Sequence, residues 1–350
     1  MRAMLLPRPA SASDGSEPLE LSEIPVPVPG PTDLLVRVSV CGVCRTDLEI
    51  VEGRVAALRY PLIPGHQVIG RVAQAGAEVS DIHQGDRVGI AWIHSACGLC
   101  KWCRAGSENL CPEFRSTGCD VDGGYAEYAV VPAAFAHVIP GEFTDAEATP
   151  LLCAGAIGWR SLRRASLSNG EKLGLAGFGA SAHLVLQLAL HRYPESPIYV
   201  FARNPQEREF ASALGATWVG DTSDTPPERL DAIIDTTPAW KPIVDVLPYL
   251  SPGGRLVINA IRKSNSDQHE LLRLDYPSHL WMEREIRSVA NVTRDDVRQM
   301  LAAAAEFGIH PTVEVLPLRD ANTALARMRG ATRLRGAMVL EVSAVGAHLS

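Results

Sequence analysis

The sequence has few of the features that would place a protein in a membrane or on nucleic acid. Its 350 residues include no apolar run of about 18 residues, the length that a transmembrane helix needs. Pro7, Arg8 and Pro9 interrupt the N-terminus, which therefore lacks the hydrophobic stretch of a signal peptide. There is no basic block, and the formal net charge of -7 argues against nucleic-acid binding. We expect a cytoplasmic protein with no membrane or nucleic-acid partner.

Aromatic residues are also scarce, at 6%, but the proportions of hydrophobic (46%) and charged (21%) residues are those of ordinary globular proteins. No internal repeat or low-complexity tract occurs. The length suggests about two domains of roughly 150 residues each.

Cysteine is present in a pattern that points to metal. Four of the eight cysteines, Cys97, Cys100, Cys103 and Cys111, have the spacing C-x2-C-x2-C-x7-C. Disulfides are disfavoured in a reducing cytosol, so we expect a closed tetrahedral zinc site that stabilises a loop and performs no chemistry. Two strained disulfides in this short loop are the alternative.

The chain changes character near Pro150. Before it, partly alternating β-branched runs at 34–40, 68–73 and 87–92, separated by Pro and Gly turns, predict a small barrel-like β domain. After it, short apolar strands alternate with helices, which predicts a doubly wound parallel sheet. The predicted elements are strands at 172–176, 197–202, 232–236, 255–260 and 338–342 and helices at 181–193, 205–214 and 295–307.

A glycine turn joins the first strand and helix of the second region. Gly177, Gly179 and Ala182 form G-x-G-x-x-A, the pattern that lets a pyrophosphate approach a helix N-terminus. The next predicted strand runs into Arg203 where NAD-binding proteins carry an acidic residue, so NADP is slightly favoured over NAD. Arg203 stacking on adenine, or lying in solvent, is the alternative.

The remaining motifs resemble those of the zinc-dependent medium-chain alcohol dehydrogenases, over nearly the whole chain. They are Gly42-Val43-Cys44-Arg45-Thr46-Asp47-Leu48, Pro64-Gly65-His66, the four-cysteine loop, Asp122-Gly123-Gly124-Tyr125-Ala126-Glu127-Tyr128 and Leu152-Cys153-Ala154-Gly155. The resemblance implies an α/β protein with a GroES-like β-barrel catalytic domain (1–153 and 293–350) and a Rossmann NAD(P)-binding domain (154–292).

The resemblance also implies a catalytic zinc held by Cys44, His66 and Cys153. Two thiolates and one imidazole leave a fourth position for water or alcohol, whose pKa the metal lowers. Taken by itself, Cys153 is more readily explained as a small buried hydrophobic residue than as a metal ligand. Cys41 and Cys119 are expected to be buried thiols.

Further roles follow from the same resemblance. Thr46 resembles the hydroxyl that relays the alcohol proton, and Asp47 the carboxylate that orients His66, although a surface charge is the alternative for Asp47. Arg45 is expected at the coenzyme pyrophosphate. Trp92 resembles a wall of the substrate pocket, with a core aromatic as the alternative.

Two positions depart from the family pattern. Many relatives have histidine where this chain has Glu49, so either Glu49 accepts the relayed proton or the relay ends in water. Relatives commonly have glutamate where this chain has Gln67, and the neutral amide is expected to leave the zinc slightly more electrophilic.

The function implied is a reversible dehydrogenase that converts a primary or secondary alcohol to an aldehyde or ketone with NAD(P). A zinc-free quinone or enoyl reductase of the same superfamily and an inactive zinc- and nucleotide-binding regulatory protein are the alternatives. Resemblance to microbial members favours a homotetramer, with a dimer second.

Overall fold

The computed structural model describes residues 1–13, 15–330 and 336–342. The chain divides into two compact units. Unit 1 comprises Met1–Cys153, Val292–Ala305 and His310–Ser350, and unit 2 comprises Ala154–Asn291 and Glu306–Ile309. Of the predicted first domain, residues 14, 331–335 and 343–350 lie outside the described residues.

Seventeen strands are present in the described residues. In chain order they are β1 (Arg2–Leu5), β2 (Glu20–Glu23), β3 (Asp33–Val43), β4 (Val68–Ala75), β5 (Arg87–Ile90), β6 (Ile93–Ser95), β7 (Arg115–Ser116), β8 (Tyr128–Pro132), β9 (Ala136–Val138), β10 (Leu173–Ala176), β11 (Ile198–Phe201), β12 (Trp218–Gly220), β13 (Leu230–Asp235), β14 (Leu250–Ile258), β15 (Glu285–Ser288), β16 (Val313–Pro317) and β17 (Ala337–Glu341).

Nine α-helices occur in the same part of the chain. They are α1 (Arg45–Val51), α2 (Lys101–Arg104), α3 (Asp145–Pro150), α4 (Ala156–Ala165), α5 (Ala180–Arg192), α6 (Pro205–Ala213), α7 (Lys241–Val246), α8 (Arg294–Phe307) and α9 (Ala321–Arg329).

Unit 1 is built on a largely antiparallel sheet of order β16-β17-β3-β4-β5-β9, with β8 also pairing with β3. The long strand β3 is central because it pairs with β17, β4 and β8. Its apolar side chains are buried, as the alternating sequence Leu-Leu-Val-Arg-Val-Ser-Val predicts. Only Cys44 separates the end of β3 from the start of α1, so the residues after Val43 are placed by the end of the central strand.

Unit 2 contains a six-stranded parallel sheet of order β12-β11-β10-β13-β14-β15. The strand order reverses between β10 and β13, and ligands of such sheets bind outside the carboxyl ends of the strands at this switch point. All residues of β10 and β11 are buried, because helices cover a parallel sheet on both faces.

The predicted helix boundaries in unit 2 agree with the structure to within one residue. Helix α6 begins after Asn204, whose side chain accepts a hydrogen bond from the backbone N–H of Gln206 at 2.9 Å. Pro205 occupies the first helical position, and Gly215 follows the helix with φ of +104°. The predicted α/β class is confirmed.

Among the described residues, no helix combines the length and the apolar composition that crossing a bilayer requires.

His137 in β9 is a buried titratable group outside the candidate metal centres. Its Nε2 has no hydrogen-bond partner among the described residues. Burial, together with the charges of Arg298 and Arg294, lowers the pKa of His137 to about 4. An unfolded chain binds a proton at a pKa of about 6.5, so between these values the unfolded state holds more protons than the folded state. Stability from this site is therefore complete above pH 6.5 and is lost as the pH falls toward 4.

We predict that His137→Gln removes part of the acid sensitivity of unit 1. Between pH 7 and pH 5, wild type should lose about 2 kcal/mol more unfolding free energy than the variant. Urea denaturation at the two pH values measures the difference. The control is His83→Gln, at an exposed position of the same unit. An identical pH dependence for wild type and His137→Gln would contradict the prediction.

Candidate active site

The four-cysteine loop brings its sulfurs together in unit 1. The Sγ–Sγ distances are 3.5 Å for Cys97–Cys111, 3.6 Å for Cys100–Cys103 and 4.0 Å for Cys97–Cys103. All four cysteines are free. A tetrahedron of thiolates about 2.3 Å from a zinc ion has edges of about 3.8 Å, so the observed spacing fits a zinc ion and not disulfide bonds.

The local backbone of this loop supports ionised sulfurs. Backbone N–H groups donate to the sulfurs of Cys97 and Cys111 at 3.3–3.4 Å. The pKa of Cys100 is lowered to about 7, chiefly by the backbone amide of Cys103. Burial and the hydrogen bond with Cys100 raise the pKa of Cys103 to about 12, so the surroundings favour the metal-binding thiolate form at Cys100 and disfavour it at Cys103.

A second cluster in unit 1 joins residues that are distant in the chain. His66 lies 22 residues after Cys44, and Cys153 lies a further 87 residues after His66. The Nε2 atom of His66 is 3.3 Å from the sulfurs of both cysteines. The three donor atoms all lie within 4.8 Å of one another. Two thiols and one imidazole form a donor set that fits zinc and leaves one coordination position for substrate.

Each of these side chains is placed by a different element. Cys44 is the N-cap of α1, at the point where β3 ends. His66 precedes β4 and follows Gly65, whose φ is +98°. A side chain at position 65 would collide with the ring of Tyr125, since a Cβ there would lie 2.4 Å from its Cδ1 atom. Only glycine therefore allows the approach of this turn to the buried tyrosine.

Cys153 lies in a single π-helical turn, Leu151–Gly155, between α3 and α4. Such turns widen a helix and redirect a side chain, and they are frequent at functional sites. The sequence did not indicate this turn, because π-turns have no distinctive local pattern. Without the family resemblance, Cys153 would have been assigned to the hydrophobic core.

Asp47 holds two members of the second cluster at once. Its Oδ1 atom accepts a hydrogen bond from Nδ1 of His66 at 2.9 Å, and its Oδ2 atom accepts from the backbone N–H of Cys44 at 2.8 Å. A carboxylate can only accept, so Nδ1 carries a proton and Nε2 is the ring nitrogen that faces the two sulfurs. Asp47 is fully buried, which excludes the alternative of a surface charge.

The electrostatics of the cluster favour one ionised sulfur. A hydrogen bond from the thiol of Cys153 is the largest influence on Cys44, and with the charge of His66 it lowers the pKa of Cys44 well below the ordinary value. Burial by itself would disfavour a charged His66, but the charges of Asp47 and Cys44 outweigh it and raise the pKa of the imidazole. Burial likewise raises the pKa of Asp47.

The other predicted site residues of this unit lie around the cluster. Thr46 is partly exposed, and its backbone N–H donates to the sulfur of Cys44 at 3.3 Å. Trp92 is buried and packs edge-on against the ring of His66, with 5.0 Å between the ring centroids. Arg45 extends into solvent from the first turn of α1, and its Nε donates to Glu49 at 2.9 Å.

Gln67 is buried next to His66, and its Nε2 has no hydrogen-bond partner in the described chain. Its side chain lies against Gly42, where a Cβ would approach the Gln67 amide carbon to 3.0 Å. Cys41 and Cys119 are buried thiols as predicted, and the metal-type clusters of the described residues contain neither of them.

The glycine turn of unit 2 lies at the switch point of the parallel sheet. Gly177 follows β10 with φ of +82°, and a Cβ there would contact Thr237 at 2.8 Å. Gly179 is the N-cap of α5, and a Cβ there would meet nothing within 4 Å. Ala182 is fully buried against the sheet. The open space beside Gly179, at a helix N-terminus, fits the pyrophosphate of a dinucleotide.

Arg203 follows β11 and is exposed. Its backbone carbonyl accepts a hydrogen bond from Nη1 of Arg208 at 3.2 Å, and the same nitrogen donates to Ala202 at 2.7 Å. No acidic residue stands in this loop where a ribose-binding carboxylate would be expected.

The sequence interpretation missed a buried ion pair near this turn. Asp235 ends β13 and pairs with Lys263, whose Nζ also donates to the carbonyls of Thr237 at 2.7 Å and Ala239 at 3.0 Å. The pair fixes the loop after β13, which packs against Gly177. An acidic residue at the end of a buried strand was the available signal, but its lysine partner lies 28 positions away.

Two metal-type clusters in one unit and a dinucleotide-type turn in the other define a class of zinc- and nucleotide-dependent oxidoreductases. Residues 30–141 match the family described as alcohol dehydrogenase GroES-like domain. A probable alcohol dehydrogenase, AdhA, of Mycobacterium tuberculosis (strain CDC 1551 / Oshkosh) is 46% identical over 345 residues, covering 97% of each chain. An alcohol dehydrogenase of Geobacillus stearothermophilus is 30% identical over 95% of this chain and 98% of its own.

A solved structure shows the same similarity in three dimensions. The cobalt- and zinc-bound thermostable alcohol dehydrogenase of Pyrobaculum aerophilum superposes with a TM-score of 0.86 at 28% identity, covering 98% of this chain and 99% of that one. The chain belongs to the zinc-dependent medium-chain alcohol dehydrogenases. The predicted family, its GroES-like and Rossmann-type architecture and the enzyme class are confirmed.

We predict that Asp47→Asn weakens zinc binding by the cluster of Cys44, His66 and Cys153. An amide cannot offer two negatively charged acceptors to His66 and Cys44, so the zinc affinity should fall roughly 10- to 100-fold. Competition with a chelating zinc indicator measures the loss, and the four-cysteine loop serves as an internal reference.

The matched control for this test is Asp296→Asn. Asp296 is also buried and accepts hydrogen bonds from the backbone and hydroxyl of Thr293 at 2.9 and 2.8 Å. That variant should lose stability but keep both zinc affinities. Equal zinc loss in the two variants would contradict the assigned role of Asp47.

Proposed function

We propose that Cys44, His66 and Cys153 hold the catalytic zinc of an NAD(P)-linked alcohol dehydrogenase. The enzyme interconverts a primary or secondary alcohol and the corresponding aldehyde or ketone. The observation that carries the proposal is the convergence of one imidazole nitrogen and two sulfurs from three separate chain segments. This donor set, with its fourth coordination position open, is typical of catalytic zinc sites. The zinc-free reductase alternative needs no such cluster.

The chain's own residues then have distinct tasks. Zinc held by Cys44, His66 and Cys153 would supply a Lewis acid for the substrate oxygen, and a coenzyme at the glycine turn would supply the hydride donor or acceptor. Asp47 keeps the proton of His66 on Nδ1, so Nε2 remains available as a ligand. The Thr46 hydroxyl accepts the alcohol proton and donates its own onward, because a hydroxyl can do both. Trp92 supplies an apolar surface beside His66 for the organic part of the substrate.

We assign the four-cysteine loop to a second, structural zinc. Four thiolates complete the tetrahedron, so Cys97, Cys100, Cys103 and Cys111 leave no position for substrate. Their task is to hold a loop that has little apolar packing of its own, since Leu99 and Trp102 are exposed. This zinc contributes stability and no chemistry.

We assign the coenzyme to the glycine turn of unit 2, with Gly177, Gly179 and Ala182 at the pyrophosphate and Arg203 at the adenosine ribose. The exposed guanidinium and the missing carboxylate favour NADP over NAD. Arg45 adds a phosphate contact. Residues 1–153 and 293–350 thus form the catalytic domain and 154–292 the coenzyme domain.

We further propose a cytoplasmic homotetramer, with a dimer as the second possibility. Free cysteines throughout the chain suit a reducing compartment. The tetramer rests on the resemblance to microbial members of the family, and light scattering of the zinc-loaded enzyme distinguishes it from a dimer.

We predict that Cys44→Ser abolishes turnover while the protein stays folded. Loss of a ligand should lower kcat/KM by more than the roughly 100-fold that loss of a supporting residue costs. Metal analysis should show two zinc ions in wild type and one in the variant. The matched control, Cys119→Ser, removes a buried thiol outside both clusters and should retain both ions and the activity.

The outcomes of this experiment separate the candidate functions. Normal activity in a Cys44→Ser protein that has lost one zinc would overturn the proposal. Wild type with no zinc would favour a zinc-free reductase. Wild type with two zinc ions but no turnover of short, long or aromatic alcohols with either coenzyme would favour the regulatory alternative.

We predict that Arg203→Ala raises KM for NADP about tenfold, because a charge-assisted contact to the 2′-phosphate is lost. NAD lacks that phosphate, so its KM should change less than twofold by the same reasoning. Steady-state kinetics with the two coenzymes in parallel measure both values. Equal increases for NADP and NAD would assign Arg203 to adenine stacking or to general structure.

A further inference from the structure

Within the described part of the chain, Glu49 accepts hydrogen bonds from two arginines, Arg45 and Arg54. Its Oε1 accepts hydrogen bonds from Nε of Arg45 at 2.9 Å and from Nη2 of Arg54 at 3.0 Å, and its Oε2 accepts from Nε of Arg54 at 2.5 Å. The Glu49 side chain is only 7% exposed. Both oxygens of a nearly buried carboxylate are thus committed to charged donors.

The two arginines differ in what remains available to a ligand. The Nη1 atom of Arg54 donates to Glu52, and its Nε and Nη2 atoms donate to Glu49. All three nitrogens of this guanidinium therefore bond to carboxylates. Arg45 uses Nε alone, and its Nη1 and Nη2 atoms have no hydrogen-bond partner among the described residues. The Arg45 side chain is 51% exposed. Glu49 therefore holds the inner edge of this guanidinium and leaves its outer pair of nitrogens directed to solvent.

A guanidinium held in this way is suited to phosphate. Its two outer N–H groups form the planar fork that binds two phosphate oxygens at once. Holding Nε lowers the conformational entropy that a long side chain loses on binding. Arg45 follows Cys44 directly, so the fork is fixed next to a proposed zinc ligand.

We propose that Glu49 is a positioning residue that holds Arg45 for the coenzyme phosphates and that it does not end the proton relay. This inference rests on the proposed function, in which Arg45 contacts the pyrophosphate. It decides between the two roles that the sequence left open for Glu49.

The surroundings of Glu49 oppose proton acceptance. Burial alone would raise its pKa, but hydrogen bonds and charges from Arg54 and then Arg45 hold the pKa of Glu49 below the ordinary value. Among the described residues, the charged groups near Glu49 include Arg45 on α1, Glu52 and Arg54 just after α1, and Arg329 at the end of α9, which pairs with Glu52 at 3.4 Å. Protonating Glu49 would break hydrogen bonds to both arginines. The proton accepted by the partly exposed Thr46 hydroxyl passes instead to water.

The test compares Glu49→Gln with Glu52→Gln. Both variants exchange a carboxylate for an amide in the same segment, but Glu52 bonds to Arg54 and Arg329 and not to Arg45. Titration of NADPH or NADH fluorescence gives the coenzyme Kd without turnover. We expect Glu49→Gln to raise Kd roughly five- to tenfold, since the fork is no longer held, and Glu52→Gln to match wild type. At saturating coenzyme, kcat of Glu49→Gln should stay within about threefold of wild type with the same pH profile, because no proton acceptor is lost.

Two further variants strengthen the test. In an Arg45→Ala background, adding Glu49→Gln should change Kd less than twofold, because the interaction that it disrupts is already gone. Glu49→His restores the residue that many relatives carry, and it should weaken coenzyme binding as Glu49→Gln does, since imidazole does not hold Arg45. Glu49→His also provides an answer if Glu49→Gln does not fold.

Other results of the same experiments would contradict the positioning role of Glu49. An unchanged Kd, with kcat reduced more than tenfold in Glu49→Gln and restored by imidazole in solution or by Glu49→His, would make Glu49 the proton acceptor. Failure of the wild-type enzyme to oxidise any alcohol would remove the proposed function. Normal wild-type turnover with a wild-type Kd in Glu49→Gln would remove this inference alone.

Discussion

The candidate active site depends on one buried carboxylate. Asp47 accepts hydrogen bonds from the imidazole of His66 and from the backbone of Cys44, so one negative charge sets the tautomer of one ligand and the backbone position of another. Asp47 is fully buried, and such a charge is stable only while its donors stay in place. The constraint is mutual, since the ligands are ordered by the carboxylate and the carboxylate is kept buried by the ligands.

Helix α1 separates two electrostatic tasks over five residues. Asp47 faces inward to the proposed ligands, whereas Glu49 joins Arg45 and Arg54. Arg45 and Glu49 are four positions apart and meet on one side of the helix. A single short helix thus carries Asp47, which bonds to two of the proposed zinc ligands, and the ion pair of Arg45 with Glu49. We attribute the departure from the family pattern at Glu49 to its hydrogen bonds with Arg45 and Arg54.

Features with short-range causes were predictable. The glycine turn, the cap of α6 and the four-cysteine spacing act over a few residues, and the structure places them as expected. The π-turn at Cys153 and the pair of Asp235 with Lys263 were not predictable, since each depends on packing between distant segments. The grouping of Cys44, His66 and Cys153 was anticipated only through the family resemblance. Spacing alone leaves Cys153 indistinguishable from a core residue.

By itself, the sequence determined the alternation of strands and helices, the structural zinc loop and the dinucleotide turn, because backbone preferences and short ligand spacings are local properties. Only the tertiary structure decided which sulfurs approach His66 and that Asp47 is buried. It also decided that both carboxylate oxygens of Glu49 accept hydrogen bonds from arginines. These outcomes depend on burial and on distances between remote segments. Burial and distance set the interaction energies between the charges of the site and the pKa values of its groups. Neither burial nor distance is encoded in a local sequence pattern.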